Sequence, residues 1–304
     1  ITLYLASKLR SVFALTKRKS DNRELLFGCC RFRRNYKFEG DSRRWAREAR
    51  WGSTSNPEEL AKPILQAPIL DEIKRELGLS RGNDAGTTFI VPMPGNDITE
   101  SNLRNAVVNE FFFAINRGRL VVKVGDTTLD RDSVADAADS MGKDCRLTKG
   151  YRSFLALTAE RTSAIATAKV KDFWTKETKL NPAVFDEPEL AELKSRFEKS
   201  ELISVDFPLP VKKKEPRETS FSSFRVFLQQ DENAEQSQEL FVRQDLGIDG
   251  EKRLKAARTI APVMALTFIQ DPKLSDLLVA AEEPTHRNWN AKRPKVVSLY
   301  SSPN

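Results

Sequence analysis

The chain has 304 residues, a net charge of +7, 39% hydrophobic residues, three Cys and a single His. Its length suits two globular domains, and 18 Phe among patterned apolar segments predict real cores. The Cys and His counts exclude a disulfide framework, a zinc site of the usual Cys/His spacing, and the ordinary groups of Cys- or His-based hydrolases.

Adjacent Cys29 and Cys30 do not bridge each other, because that geometry is strained, and a reducing, cytoplasmic compartment is expected. No apolar run reaches the roughly 18 residues that a membrane helix needs, so no membrane partner is expected. No compact acidic cluster marks a carboxylate-metal nuclease.

The opening "LYLASKL" reads as the end of a helix, which places further residues before Ile1. "RSVFALTKR" and "RELLFGCCRF" form a strand hairpin around the turn "KSDN". A long polar, Trp-containing loop runs to Pro57. A helix over "ILDEIKREL" has Pro68 in its first turn and Gly78 as its stop. "GTTFIVPMP" is a strand ended by Pro92 and Pro94. "ITESNLRNAVVNEFFFAINRG" is the clearest helix, with Thr99 as N-cap. Leu103, Ala106, Val107, Phe111, Ala114 and Ile115 form its apolar face, and Phe112 and Phe113 broaden it, so that both sides of the helix can be covered.

"RLVVKVGDTTLD" is a strand with a turn at Gly125-Asp126, and "RDSVADAADSMG" is a short helix stopped by Gly142. Residues 145–180 have no clear period until "AKVKDFW", read as a strand. "EPELAELKSRFEKS" is a helix, and "LISVDFPLPV" a strand ended by Pro208 and Pro210. "KKKEPRE" reads as an exposed linker. "SFSSFRVFLQQ" and "QELFVRQDLGI" are strands around a polar loop. "RTIAPVMALTFIQD" is an apolar strand, either central or bulged near Pro262. Asp271 caps a last helix, "PKLSDLLVAAEE", and the tail beyond Trp289 is basic and extended.

Residues 1–60 hold 14 Lys/Arg against 7 Asp/Glu, which accounts for the whole net charge. The densest part is "RFRRNYKFEGDSRRWAREARW", with Arg31, Arg33, Arg34, Arg43, Arg44 and Arg47 among Tyr36, Trp45 and Trp51. Basic residues interleaved with aromatics contact phosphates and stack bases. The other readings are a solvated rim with its aromatics turned inward, or arginines facing a nucleotide or a partner subunit.

Four groups of segments together carry a family likeness. They are "LASKLRSVFALT" with "LLFGCCRFRRNYKFEG", "GTTFIVPMP" with "NAVVNEFFFAINRGRLVVKVG", "SSFRVFLQQD" with "LFVRQDLGI", and "VMALTFIQDPKLSDLLVAAEEPTHRNW". In this order the chain resembles bacterial proteins with an ATPase domain of the gyrase, heat-shock chaperone, histidine kinase and MutL (GHKL) superfamily, followed by a transducer-like region.

The resemblance implies an α/β (α+β) fold in three parts. Residues 1–95 would be the C-terminal half of a Bergerat-type α/β sandwich, 96–185 a helical connector, and 186–304 a transducer-like α/β domain. It implies ATP and Mg²⁺ as cofactors. Gly86-Thr87 matches the late "GT" position, with Thr87 or Thr88 supplying a hydroxyl near the adenine. The Glu/Asn helix, the adenine-binding Asp and the glycine-rich lid of such enzymes would lie before Ile1. A cation from the second domain senses the terminal phosphate in related ATPases; Arg243, Lys255 and Arg258 are the candidates, each also readable as a solvated charge.

The function so implied is an ATP-dependent conformational switch with slow hydrolysis, possible homodimerisation, and a nucleic acid or effector protein as partner, in a phage-defence setting. The alternative is a non-catalytic nucleic-acid-binding or structural subunit that uses the basic 31–50 segment. His286 reads as a helix-ending hydrogen-bond group, Trp289 as an anchor for the tail, and Cys29 and Cys30 as small core residues. "GxxxxGK" is absent, so no P-loop is implied.

Overall fold

A computed structural model describes residues 3–35, 37, 39–40, 42–56, 59–79, 84–161, 163–169, 182–234, 236–248, 261–283 and 289–301. The chain divides into two compact units, Ile1–Asn102 and Leu103–Asn304.

The first unit is built on a four-stranded antiparallel sheet. Its strands are β1 (Ser11–Lys17), β2 (Glu24–Arg31), β3 (Glu48–Trp51) and β4 (Gly86–Ile90), in the order β3-β2-β1-β4. The expected hairpin is present, with Ser11 opposite Cys30 and Lys17 opposite Glu24. Helix α1 (Ala67–Glu76) covers one face. Its Leu70 and Ile73 pack with Phe13, Leu15, Leu26 and Ile64. The loop read between Arg31 and Pro57 contains β3, an edge strand of four residues, "EARW", whose single alternation is too short to stand out from the polar loop around it.

Cross-strand partners share a face. Gly28 lies between Phe13 and Trp51 on the α1 side, and a Cβ there would meet the Phe13 ring at 2.5 Å. Glycine therefore lets Phe13 and Trp51 meet edge to face, 5.4 Å apart at 86°. The opening segment forms a 3-10 turn over Leu3–Ala6.

In chain order, the second unit contains α2 (Glu100–Asn116, which begins in the first unit), β5 (Val122–Val124), β6 (Thr127–Leu129), α3 (Val134–Met141) and α4 (Lys149–Glu160). These are followed by β7 (Ala166–Thr167), α5 (Glu187–Glu198), β8 (Ile203–Lys213), β9 (Glu218–Gln230) and β10 (Gln238–Arg243). It ends with β11 (Leu246–Ile248), β12 (Val263–Ile269), α6 (Pro272–Ala281) and α7 (Pro294–Leu299). Its main sheet has the order β11-β10-β12-β9-β8-β7. It is mixed: β10/β12 and β7/β8 are parallel, and the other pairs antiparallel.

Strand alternation divides the apolar residues between two faces. Phe227, Met264 and Leu266 pack with Val108, Phe112, Ile115, Tyr151, Phe154 and Leu155 from α2 and α4. Phe224, Val226 and Leu228 join Ile203, Val205, Phe207 and Leu193 of α5. The unit is thus a sheet with helices on both faces. Tyr151 is fully buried, and its hydroxyl donates to the Ala265 carbonyl at 2.6 Å. Burial pushes its phenol well above the usual value.

Several expectations are corrected. The buried face of α2 centres on Val108, Phe112, Phe113, Ala114 and Ile115, whereas Leu103 is 45% exposed. Four consecutive buried residues enclose the C-terminal half nearly all round, in line with the broadening by Phe112 and Phe113. Residues 149–160 form α4, started by the Thr148 hydroxyl accepting from the Tyr151 amide. The strand expected at 168–174 is not formed at Ala168 and Lys169, which follow the two-residue β7, and residues 170–174 lie outside the described residues.

Pro208 and Pro210 do not end β8, which runs on to Lys213 paired with β9. β7 pairs only with Val205 and Asp206, so beyond them that side of β8 needs no amide donors from the prolines. "KKKEPRE" is accordingly the turn of this hairpin and its flanks. The basic tail forms α7 and is not fully extended: Tyr300, Val296, Ala280 and Val211 share a small core. β12 is a central strand beginning after Pro262.

Asp271 caps α6 as expected, accepting from the Lys273 amide at 2.8 Å and the Leu274 amide at 3.4 Å. Asp271→Ala is expected to cost about 1 kcal/mol in chemical denaturation, and Asp271→Asn less than half of that.

Candidate functional site

In the first unit, β4 carries Gly86, Thr87 and Thr88 beside β1. Thr88 lies opposite Leu15, on the side of the sheet that faces α1. Thr87 lies opposite Thr16, on the other side. The Thr16 and Thr87 hydroxyls are hydrogen-bonded at 3.1 Å and exposed. Val12, Ala14, Leu25, Phe27 and Phe89 share their face by strand alternation, and Phe89 is 48% exposed. A hydroxyl pair at the end of an apolar strip can meet a flat heteroaromatic ring with both hydrogen bonds and van der Waals contact.

The opposite face is tied down by charge. Lys74 of α1 pairs with Glu24 at 2.8 Å and Asp71 at 2.9 Å. The hydrogen bonds that Lys74 donates to Glu24 and Asp71 raise its ammonium pKa above the ordinary value.

The sequence-selected arginines gather at the β2–β3 edge. Arg31 and Arg47 both reach Glu48, at 3.1 and 3.0 Å. Arg43 lies over the Trp45 ring, 4.8 Å from its centroid. Arg33, Arg34 and Arg44 are exposed, as is Arg50. Cys29 and Cys30 are half-buried free thiols.

In the second unit, two segments quoted for the family likeness meet. Arg243, at the end of β10, is 10% exposed and donates from Nη2 to Glu282 Oε2 at 2.8 Å; Glu282 is 3% exposed. Trp289 packs edge-on against Phe241 at 6.2 Å, and its backbone bridges Glu282. The Arg243 guanidinium is thus engaged in a buried structural pair. Lys255, Arg258 and His286 lie outside the described residues.

A cleft of about 380 Å³ that no motif signalled lies at the start of α4, lined by Gly150, Ser153, Phe154, Gln229, Asp231 and Met264. A Cβ at Gly150 would meet the Asp231 carboxylate at 2.7 Å. Only the fold brings these residues together, since they come from three separate segments.

Among the described residues no group of three or more His, Cys, Asp or Glu is placed to hold a metal ion, and no helix is long and apolar enough to cross a membrane. For ATP-Mg²⁺ the residues present therefore fit a contact to the base and supply no metal cradle. The fold defines a mixed α/β protein of two units. No protein-family model, curated protein or solved structure matches the chain.

Proposed function

We propose that the chain is part of an ATP-dependent conformational switch, in which nucleotide at the first unit controls binding of a partner. The reading rests on the resemblance to GHKL-type proteins and on one observation above all. The Thr16–Thr87 hydroxyl pair and the apolar strip ending in Phe89 lie on the sheet face opposite α1. In the family pattern the nucleotide lies between the sheet face and a helical layer, and the Glu/Asn helix that the resemblance places before Ile1 would supply that layer. No hydrolytic step is assigned to these residues, because the resemblance places the Glu and Asn that prepare the water and hold Mg²⁺ before Ile1. A role in phage defence belongs to the same proposal and has the resemblance as its support.

Calorimetry with ATP-Mg²⁺ on the purified chain tests it. Binding weaker than micromolar is expected, since the described residues offer a base contact and no metal cradle. The Thr16→Val/Thr87→Val pair should weaken it about tenfold, since each lost hydrogen bond is worth about 0.5–1.5 kcal/mol. Absence of heat at millimolar ATP rejects the reading, and an unaffected double variant rejects the assigned face.

A further inference from the structure

We propose that the β2–β3 edge is a binding surface for single-stranded nucleic acid. From Arg31 to Trp51 the sequence has eight Lys/Arg against three Asp/Glu. The fold decides how that charge is used. Glu48 is held by both Arg31 and Arg47, so the one carboxylate on β3 is already offset. Arg33, Arg34, Arg44 and Arg50 are exposed, with no carboxylate partner among the described residues. β3 is an edge strand, with Trp51, opposite Gly28, on its α1 side and Arg50, opposite Cys29, on the other, so the two sides border one strand edge.

Aromatic surface lies on the same rim. Trp51 is 43% exposed and Phe32 is 44% exposed. Phe32 continues the ladder beyond β2, its amide donating to the Arg47 carbonyl at 2.8 Å. Trp51 is braced by the edge-to-face contact with Phe13 over Gly28. A large ring held rigid and partly exposed loses little conformational freedom when a base stacks on it. Arginine guanidinium groups beside such rings neutralise phosphates.

These features select among polyanions. An acidic protein would use the arginines and leave the rings idle. Duplex readout needs an element that enters a groove, and no helix lies between Arg31 and Trp51 in the described residues. Unpaired bases use both charge and rings.

The test is fluorescence anisotropy of the whole chain, without nucleotide, against labelled (dT)₂₀, a 20-bp duplex, heparin and polyglutamate. Independence from ATP separates its failure from failure of the switch. Binding of (dT)₂₀ is expected to be preferred and to weaken about 50-fold between 50 and 200 mM salt if four phosphates are neutralised. Arg33→Glu, Arg34→Glu, Arg44→Glu and Arg50→Glu together should abolish it.

Trp51→Ala should weaken (dT)₂₀ about five- to hundredfold and leave heparin unchanged. Because Trp51 also packs on Phe13, Phe32→Ala provides a second variant that spares that contact, and it should also weaken (dT)₂₀ selectively. Several results overturn the proposal: no (dT)₂₀ binding at 50 mM salt, equal affinity for duplex or heparin with both aromatic variants silent, or preference for polyglutamate.

Discussion

Glu282→Ala is expected to destabilise the Leu103–Asn304 unit by about 3–5 kcal/mol, a large fraction of the stability of an ordinary domain. Removing Glu282 leaves the guanidinium of Arg243 buried at the end of β10 without the carboxylate that meets it at 2.8 Å. An uncompensated charge in that environment costs more than the pair itself contributes. The single variants and the double variant Arg243→Met/Glu282→Leu therefore separate two ideas. If the pair only compensates its own desolvation, the double variant recovers most of the loss, to within about 1–2 kcal/mol of the parent or better. If the double variant is as unstable as Glu282→Ala, the pair also organises the Phe241–Trp289 contact beside it. Urea denaturation followed by circular dichroism gives both quantities.

Phe154→Ala is the second large effect, expected at about 3–5 kcal/mol. Phe154 is 2% exposed in α4, beside Tyr151, between the helices and the β9/β12 part of the sheet. Truncation removes its transfer free energy and leaves a cavity that rigid strands on one side prevent from closing. Leu157, one helical turn further on, is 46% exposed and lines the cleft; Leu157→Ala should stay within about 0.5 kcal/mol. The contrast measures burial within one helix at fixed propensity. Equal effects for both would place α4 differently from its packing against Phe227 and Met264.

Most elements were legible because each carried its own local signal. The β1/β2 hairpin shows apolar strands around "KSDN", α6 has Asp271 followed by Pro272, and α5 has a Pro in its first turn with a capping box formed by Asp186 and Glu189. Failures occurred where the deciding partner is distant in sequence. Pro208 and Pro210 look like strand breakers until β7 is seen to be too short to reach them. Phe112, Phe113, Ala114 and Ile115 of α2 are enclosed as their apolar run suggests, but Leu103 in the same helical pattern is exposed, which periodicity alone does not tell. Of the candidate sites, the arginine-rich rim is plain in composition, but the pairing of Arg31 and Arg47 with Glu48 is not.

The sequence by itself determined the alternation of helices and strands, the concentration of charge before residue 60, and the poverty in Cys and His that removes whole classes of chemistry. Those properties depend on neighbours within a few residues or on simple counts. Tertiary structure alone decided that Thr87 and Thr88 face opposite sides of a sheet, that Arg243 meets Glu282, and that Gly150 adjoins Asp231. Each depends on strand register or on contacts spanning tens of residues. A one-residue change of register turns every side chain to the other face, and local pattern does not specify which strand will be the neighbour.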